Sequence, residues 1–203
     1  IVALGWILMS LFGALPFVIS GEIPSYIDAV FETASGLTTT GASIMQNVET
    51  LSRGCMFWRL FTHWIGGMGV LVFIMAVMPM SGNYSMHIMR AEVPGPTVGK
   101  LVPRVRQTAK ILYIIYIALT FIEMIFLLFG GMDLYDAMLH AMATAGTGGF
   151  STKASSIAYW DSAYIDTVIA VFMMIFATNF NLYYLILIGR ARDAFKSEEL
   201  HWY

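Results

Sequence analysis

Four apolar stretches punctuate this chain, each long enough, at about 20 residues, to cross a lipid hydrocarbon core as a helix. They cover residues 1–19, 56–78, 111–129 and 164–188. Between the first two, and again between the last two, lies a shorter semi-apolar segment of helical character that stops at a cluster of Thr and Gly. These segments are residues 26–36, before Thr38, and residues 134–145, before Gly146. They are too short to span, so the pattern predicts re-entrant half-helices. Non-helical backbone at membrane depth is tolerated only where protein buries it or where it lines a watery cavity, which makes the Thr and Gly clusters candidate pore linings.

A shift of 108 residues superimposes the two halves without a gap through this region. Asp28 falls on Asp136, Ala29 on Ala137, Thr39 on Thr147, Gly41 on Gly149 and Ser43 on Ser151, while residues 1–19 land on 109–127. The predicted unit is a spanning helix, a half-helix with its Thr/Gly loop and a second spanning helix, occurring twice in one orientation. Such copies suit an axis along the membrane normal. The expected fold is an all-α membrane protein of tandem outer helix, re-entrant pore helix and inner helix. Residues 1–78 form the first repeat, 79–110 a cytoplasmic linker, 111–188 the second repeat and 189–203 a cytoplasmic tail.

Backbone electrostatics give this unit a task. A half-helix entering from outside points its C-terminal end, worth roughly −0.5 of an elementary charge, at the membrane interior, where it favours cations. The loops that follow, residues 38–42 and 147–151, are built from Thr38, Thr39, Thr40 and Gly41 and from Thr147, Gly148, Gly149 and Phe150. Such small residues let several carbonyls turn to one side and replace an ion's hydration shell. Glycine is needed where φ must be positive, the constraint expected at Gly41 and Gly149. Thr39, Thr40, Thr147 and Gly148 are the candidate ligands of a passing cation. Gly146 is a second candidate for the filter glycine; the gapless repeat selects Gly149 and leaves Gly146 as a flexible joint.

Composition agrees with lipid as the solvent: 58% of residues are hydrophobic and 12% charged, with a mean hydropathy of +0.72. A net charge of −2 lacks the basic surface that DNA or RNA binding requires, so no nucleic-acid partner is expected. Lone Cys55 and four scattered histidines disfavour a disulfide, zinc or redox enzyme. Arg90, Lys100, Arg104, Arg106 and Lys110, with Arg190, Arg192 and Lys196, outnumber Arg53, Arg59 and Lys153, which places the middle loop and the tail in the cytoplasm. The external side carries Glu22, Asp28, Glu32, Glu49, Asp133, Asp136 and Asp161, an acidic vestibule that would concentrate cations. Because Ile1 opens inside an apolar run with no basic leader or cleavage site, the chain reads as a fragment beginning within a membrane helix.

Several single residues carry expectations. Glu32 and His140 are repeat equivalents, read as hydrogen-bonding behind the loops in preference to relaying protons. Glu123, alone in the third span, requires a cavity or a polar partner on a neighbouring helix. Arg59 and His63 share a face, with Arg59 snorkelling to the headgroups. Gly66, Gly67 and Gly69 thin the second span for close packing. Thr178, Asn179 and Asn181 place polar groups mid-span, for a watery cavity or for helix contacts. Gly95–Lys100 has three residues between its glycines where a phosphate loop has four, and it is read as linker. An intramembrane enzyme using Ser35 and His63 lacks any third group, so no catalytic residue is assigned.

The sequence resembles the TrkH/KtrB (Trk/Ktr/HKT) superfamily of potassium transporters. The residues that carry the resemblance are Phe31–Ala42, Trp64–Gly69, Pro103–Arg104 with Thr108–Ala109, His140–Ala141 leading to Thr147–Thr152, Asn179–Asn181, and Glu199–Leu200. It covers nearly the whole chain. The resemblance implies four fused pore units in pseudo-fourfold symmetry, of which this chain matches the first two, and the transported ion it implies is K+. Either the chain is a piece of a longer protein or a second chain supplies the missing pore repeats. A further implied partner is a cytoplasmic nucleotide-binding regulatory subunit (TrkA/KtrA-like) docked on the linker and tail. The setting implied is the lipid of the cell inner membrane.

Overall fold

The computed structural model describes residues 2–69, 105–187, 189–195 and 197, and among these the regular elements are all helical. They are α1 (Val2–Gly13), α2 (Leu15–Ile19), α3 (Tyr26–Leu37), α4 (Arg53–Gly67), α5 (Val105–Phe129), α6 (Leu134–Ala145), α7 (Ala163–Ala177), α8 (Phe180–Leu187) and α9 (Ala191–Phe195), with short 3-10 turns at Val48–Thr50 and Ser156–Trp160. Residues 70–78 of the second expected span lie outside the described residues. So do the linker positions 79–104, with Arg90, Lys100, Arg104 and the Gly95–Lys100 stretch, and the tail from 198, with Glu199 and Leu200.

Local chemistry sets the helix starts. Ser25 caps α3 by accepting from the Asp28 amide at 3.4 Å, Ser52 caps α4 through the Cys55 amide at 3.3 Å, and Asp133 caps α6 through the Tyr135 amide at 3.2 Å. α3 and α6 have 12 residues each. That is about 18 Å of helix, well short of a roughly 30 Å hydrocarbon core. Within α5, the 21 residues Ala109–Phe129 have the length and hydropathy to cross one.

All four expected spans differ from the helices found; the third starts at Val105, six residues before the expected 111 and within the stretch read as linker. The first run breaks at Ala14, because Pro16 in the opening turn of α2 has no N–H and crowds the preceding carbonyls. α4 starts three residues before the expected Met56 and ends at Gly67, where Met68 caps it and Gly69 turns to φ +79°. The last run breaks between α7 and α8: Thr178 swings to an extended ψ of 143° while its hydroxyl donates to the Met174 carbonyl at 2.9 Å. Asn179 is buried at that break.

α4 is the hinge post of the packing. Its Gly66 faces the Gly36 and Leu37 carbonyls at the end of α3, and its Gly67 faces the Ala145 carbonyl and Gly146 at the end of α6. A Cβ at either glycine would collide with that backbone, so the two half-helices meet α4 only because these side chains are absent. Tyr116 of α5 donates to the Trp64 carbonyl at 2.8 Å, and the Trp64 indole donates to Thr120 at 3.1 Å. One apolar core gathers Leu112, Tyr116, Ile165, Phe172 and Phe176; another gathers Phe17, Ala29, Leu60, Leu139 and Phe150. Ile7, Phe12 and Ile19, and on α5 Ile114, Phe121 and Phe129, face outward as lipid-facing side chains would.

Glu123 on α5 is fully buried, and neither carboxyl oxygen has a hydrogen-bond partner among the described residues. Thr144 of α6 stands beside it but gives its hydroxyl to the His140 carbonyl at 2.9 Å. Thr144 is the polar neighbour on an adjoining helix that the sequence calls for, at a geometry that leaves the carboxyl poorly bonded. An unsatisfied buried group costs about 1–3 kcal/mol, so Glu123→Leu is expected to leave the fold as stable or more stable by that order. Thermal unfolding in detergent checks this.

Candidate functional site

The loops after α3 and α6 share an unusual backbone. Thr39 has φ 54° and its repeat equivalent Thr147 has φ 55°, while Gly41 has φ 75° and Gly149 has φ 86°. A β-branched residue in the left-handed region is strained by about 1–3 kcal/mol and persists only where the surroundings dictate it. Amide bonds from Thr39 to the Gly36 carbonyl (3.0 Å), Thr40 to Ser35 (2.9 Å) and Thr147 to Thr144 (2.8 Å) wind the chain off each helix end. Thr38 donates to the Ala34 carbonyl at 2.7 Å and lies 2.8 Å from the Thr40 hydroxyl. Gly146 does not share the positive φ of Gly149; it caps α6 at φ −80° and packs on His63.

The two loops touch. A Cβ on Gly41 would fall on the Gly148 carbonyl, and one on Gly148 would fall on the Thr39 carbonyl. Thr38, Thr40, Thr147 and Gly149 are exposed, and Thr39, Gly41 and Gly148 are half-buried. Phe150 differs: the residue is 2% exposed and packs as a core residue.

Behind the loops lies a polar scaffold. Glu32 accepts from the Ser43 hydroxyl at 3.0 Å, the Ile44 amide at 3.0 Å and Arg59 Nε at 2.5 Å. His140, its repeat equivalent, meets the Ser151 hydroxyl through Nε2 at 2.9 Å and the Asp136 carbonyl through Nδ1 at 2.8 Å. Each thus anchors the Ser two positions beyond its loop's glycine. Arg59 is 3% exposed and does not snorkel, contrary to its sequence reading. It crosses from α4, pairs with Glu32, donates to the Ser151 carbonyl at 3.2 Å and lies 3.6 Å over the Phe150 ring. One guanidinium therefore ties both loops. The sequence held a signal for this pair, since opposite charges buried in neighbouring apolar segments must meet. Ser35 donates to the Ala42 carbonyl at 2.5 Å, which commits the hydroxyl to loop shape and away from His63.

On the side where α3, α4 and α6 begin, a cavity of about 390 Å³ opens between the repeats, lined by Glu49, Arg53, Asp133, Asp136 and Lys153 among others. Its charge is mixed, with Arg53 and Lys153 set among the carboxylates: Lys153 stands 3.9 Å from Asp136, and Glu49 accepts from the Ala154 amide at 3.1 Å. On the same side Glu22 accepts from the Ser52 amide at 2.9 Å. Desolvation pushes its pKa up, but bonds from Ser52 and Cys55 outweigh this and hold it below the usual carboxylate value. A lowered pKa means that the tether is in place above the ordinary carboxylate range and is lost as pH falls through the lowered value. Wild type is therefore expected to lose slightly more stability on acidification than Glu22→Gln, by less than about 1 kcal/mol at this exposed site. Unfolding midpoints across the acid range check the difference.

The sequence pattern of the TrkH family, described as cation transport proteins, matches residues 1–198. The chain is 44% identical over 194 residues to the Trk system potassium uptake protein TrkH of Escherichia coli, covering 94% of this chain and 40% of that one. It is 37% identical to the Trk system potassium uptake protein TrkG of the same organism, over 92% of this chain and 39% of that one. The crystal structure of the potassium transporter TrkH from Vibrio parahaemolyticus superimposes with a TM-score of 0.76 at 35% identity, covering 96% of this chain and 39% of that chain. The chain spans about two-fifths of the length of these relatives. With a family match along almost its entire length, the chain belongs to the TrkH family of cation transport proteins.

Proposed function

We propose that this chain is pore-forming material of a potassium uptake transporter in the cell inner membrane, supplying two of the filter segments past which K+ moves down its electrochemical gradient. The observation that carries the reading is the paired backbone: positive φ at Thr39 and Gly41, repeated at Thr147 and Gly149, in two loops that touch. Side-chain-poor loops at the carbonyl ends of two half-helices present the backbone oxygens that a partly dehydrated cation needs. The relatives' names as potassium uptake proteins supply the ion.

In this reading the two repeats are α1–α4 and α5–α8, the filter segments are residues 38–42 and 147–151, and carbonyls of Thr39, Thr40, Thr147 and Gly148 take the place of water around the ion. The mixed-charge cavity marks the external mouth, and the linker and tail face the cytoplasm. Further pore repeats, from the same chain or a second one, complete the path, and a nucleotide-binding subunit regulates it from the cytoplasmic side. No step makes or breaks a covalent bond.

Bacteria lacking potassium uptake test this. Expression of the protein at its natural length is expected to restore growth at low external potassium and not to restore it when Gly41 is replaced by Arg. Growth that is indifferent to Gly41→Arg, with both proteins in the membrane, would favour a non-conducting assembly role. Growth restored only when sodium is abundant would point to a sodium-permeable member.

A further inference from the structure

The two touching loops are braced by different means. In the first, Thr38 and Thr40 clasp hydroxyls at 2.8 Å, and Thr38 is fastened to the Ala34 carbonyl. The repeat shift of 108 residues puts Gly146 and Gly148 at those two positions, so the second loop has no clasp of its own. The space is filled from another element. A Cβ on Gly146 would stand 2.9 Å from the His63 carbonyl oxygen and 3.0 Å from its Nε2, and a Cβ on Gly148 would run into ring atoms Cε1 and Nε2. His63 is fully buried, its ring 4.7 Å from that of Phe150. Neither ring nitrogen is hydrogen-bonded among the described residues, so packing alone sets where the imidazole sits.

We propose that His63 is a positioning residue of the second filter: its ring replaces the Thr38–Thr40 clasp and fixes the backbone of Gly146–Gly149, and with it the preference for potassium over sodium. The proposal rests on the reading of residues 147–151 as a filter. A stretch with glycine at three of four positions is the most mobile backbone a chain can make, and carbonyl placement is what selects between the two ions. At Gly146 and Gly148 the imidazole shares with backbone carbonyls, those of His63 and Thr39, the room that side chains would take.

The test is potassium and sodium flux into lipid vesicles holding the protein at its natural length. His63→Ala is expected to keep potassium flux and to lower the potassium-to-sodium ratio at least tenfold. His63→Phe, which keeps a ring in that space without the ring nitrogens, is expected to keep both flux and ratio. Should His63→Ala not reach the membrane, His63→Val, smaller than the ring and still apolar, reads the same ratio. An unchanged ratio in His63→Ala or His63→Val, or a ratio lost as fully in His63→Phe as in His63→Ala, overturns the proposal. Wild-type vesicles that pass no potassium would instead overturn the filter reading itself, whatever His63 does.

Discussion

Gly41→Ala is expected to remove potassium transport while the protein still inserts and folds. Two costs coincide at this position. Its φ of 75° is strained for any residue bearing a Cβ, and that Cβ would fall on the Gly148 carbonyl of the facing loop. The strain alone is on the order of 1–2 kcal/mol and survivable. The collision is not survivable in place, because carbonyl and Cβ cannot share the space and one loop must move. Each ~1.4 kcal/mol added to the barrier slows flux tenfold, so even a modest shift of carbonyls registers strongly. Gly21→Ala and Gly131→Ala are the controls, with φ of 76° and 91° and nothing within 4 Å of the added carbon. Both are expected to pay the strain in stability and to transport normally. Flux assays paired with membrane yield separate the cases.

The second large effect belongs to the Glu32–Arg59 pair. Arg59→Leu strands a carboxylate with its Ser43 and Ile44 partners but no cation, and Glu32→Leu strands a guanidinium beside the Ser151 carbonyl. Breaking a buried pair by removing one partner costs about 3–5 kcal/mol, a large part of a protein's total stability. Each single variant is expected to be recovered poorly and to be inactive. The double variant, apolar on both sides, is expected to regain much of the stability, since buried pairs exchange for packed apolar groups at little cost. It is not expected to regain transport, because Ser43 and Ile44 lose the carboxylate that anchors the first loop and the Ser151 carbonyl loses the donor that ties the second loop to it. Thermal unfolding set against flux reads the split. Full recovery of flux in the double variant would show that the pair has no part in loop placement.

Much of this was legible from residue types alone. α3 and α6 start where the sequence places them, after Ser25 and Asp133, and end at the Thr and Gly that succeed them, whereas the cap at Ser52 starts α4 three residues before the position read from the apolar run. The register of 108 brings Thr39 with Thr147 and Glu32 with His140, and the structure gives the members of each pair matching backbone or matching bonds.

What escaped was tertiary. A lone arginine four residues from a buried histidine near a helix end reads as a snorkelling side chain, and only the fold shows Ser151, 92 residues away, as its second partner. Left-handed threonines run against propensity, so no local rule predicts them. The break at Thr178 needed the side-chain bond to Met174, which competes with the helix ladder. The break before Pro16 was present in the sequence and outweighed by the apolar run around it.

Uptake of potassium against sodium into vesicles holding the protein at its natural length, wild type beside Gly41→Ala and Gly131→Ala, decides whether the touching loops line the ion's path. Potassium-selective uptake lost in Gly41→Ala and kept in Gly131→Ala is the predicted result. Uptake that survives in Gly41→Ala, with the protein correctly inserted, would contradict it: the touching loops would then lie off the ion's path.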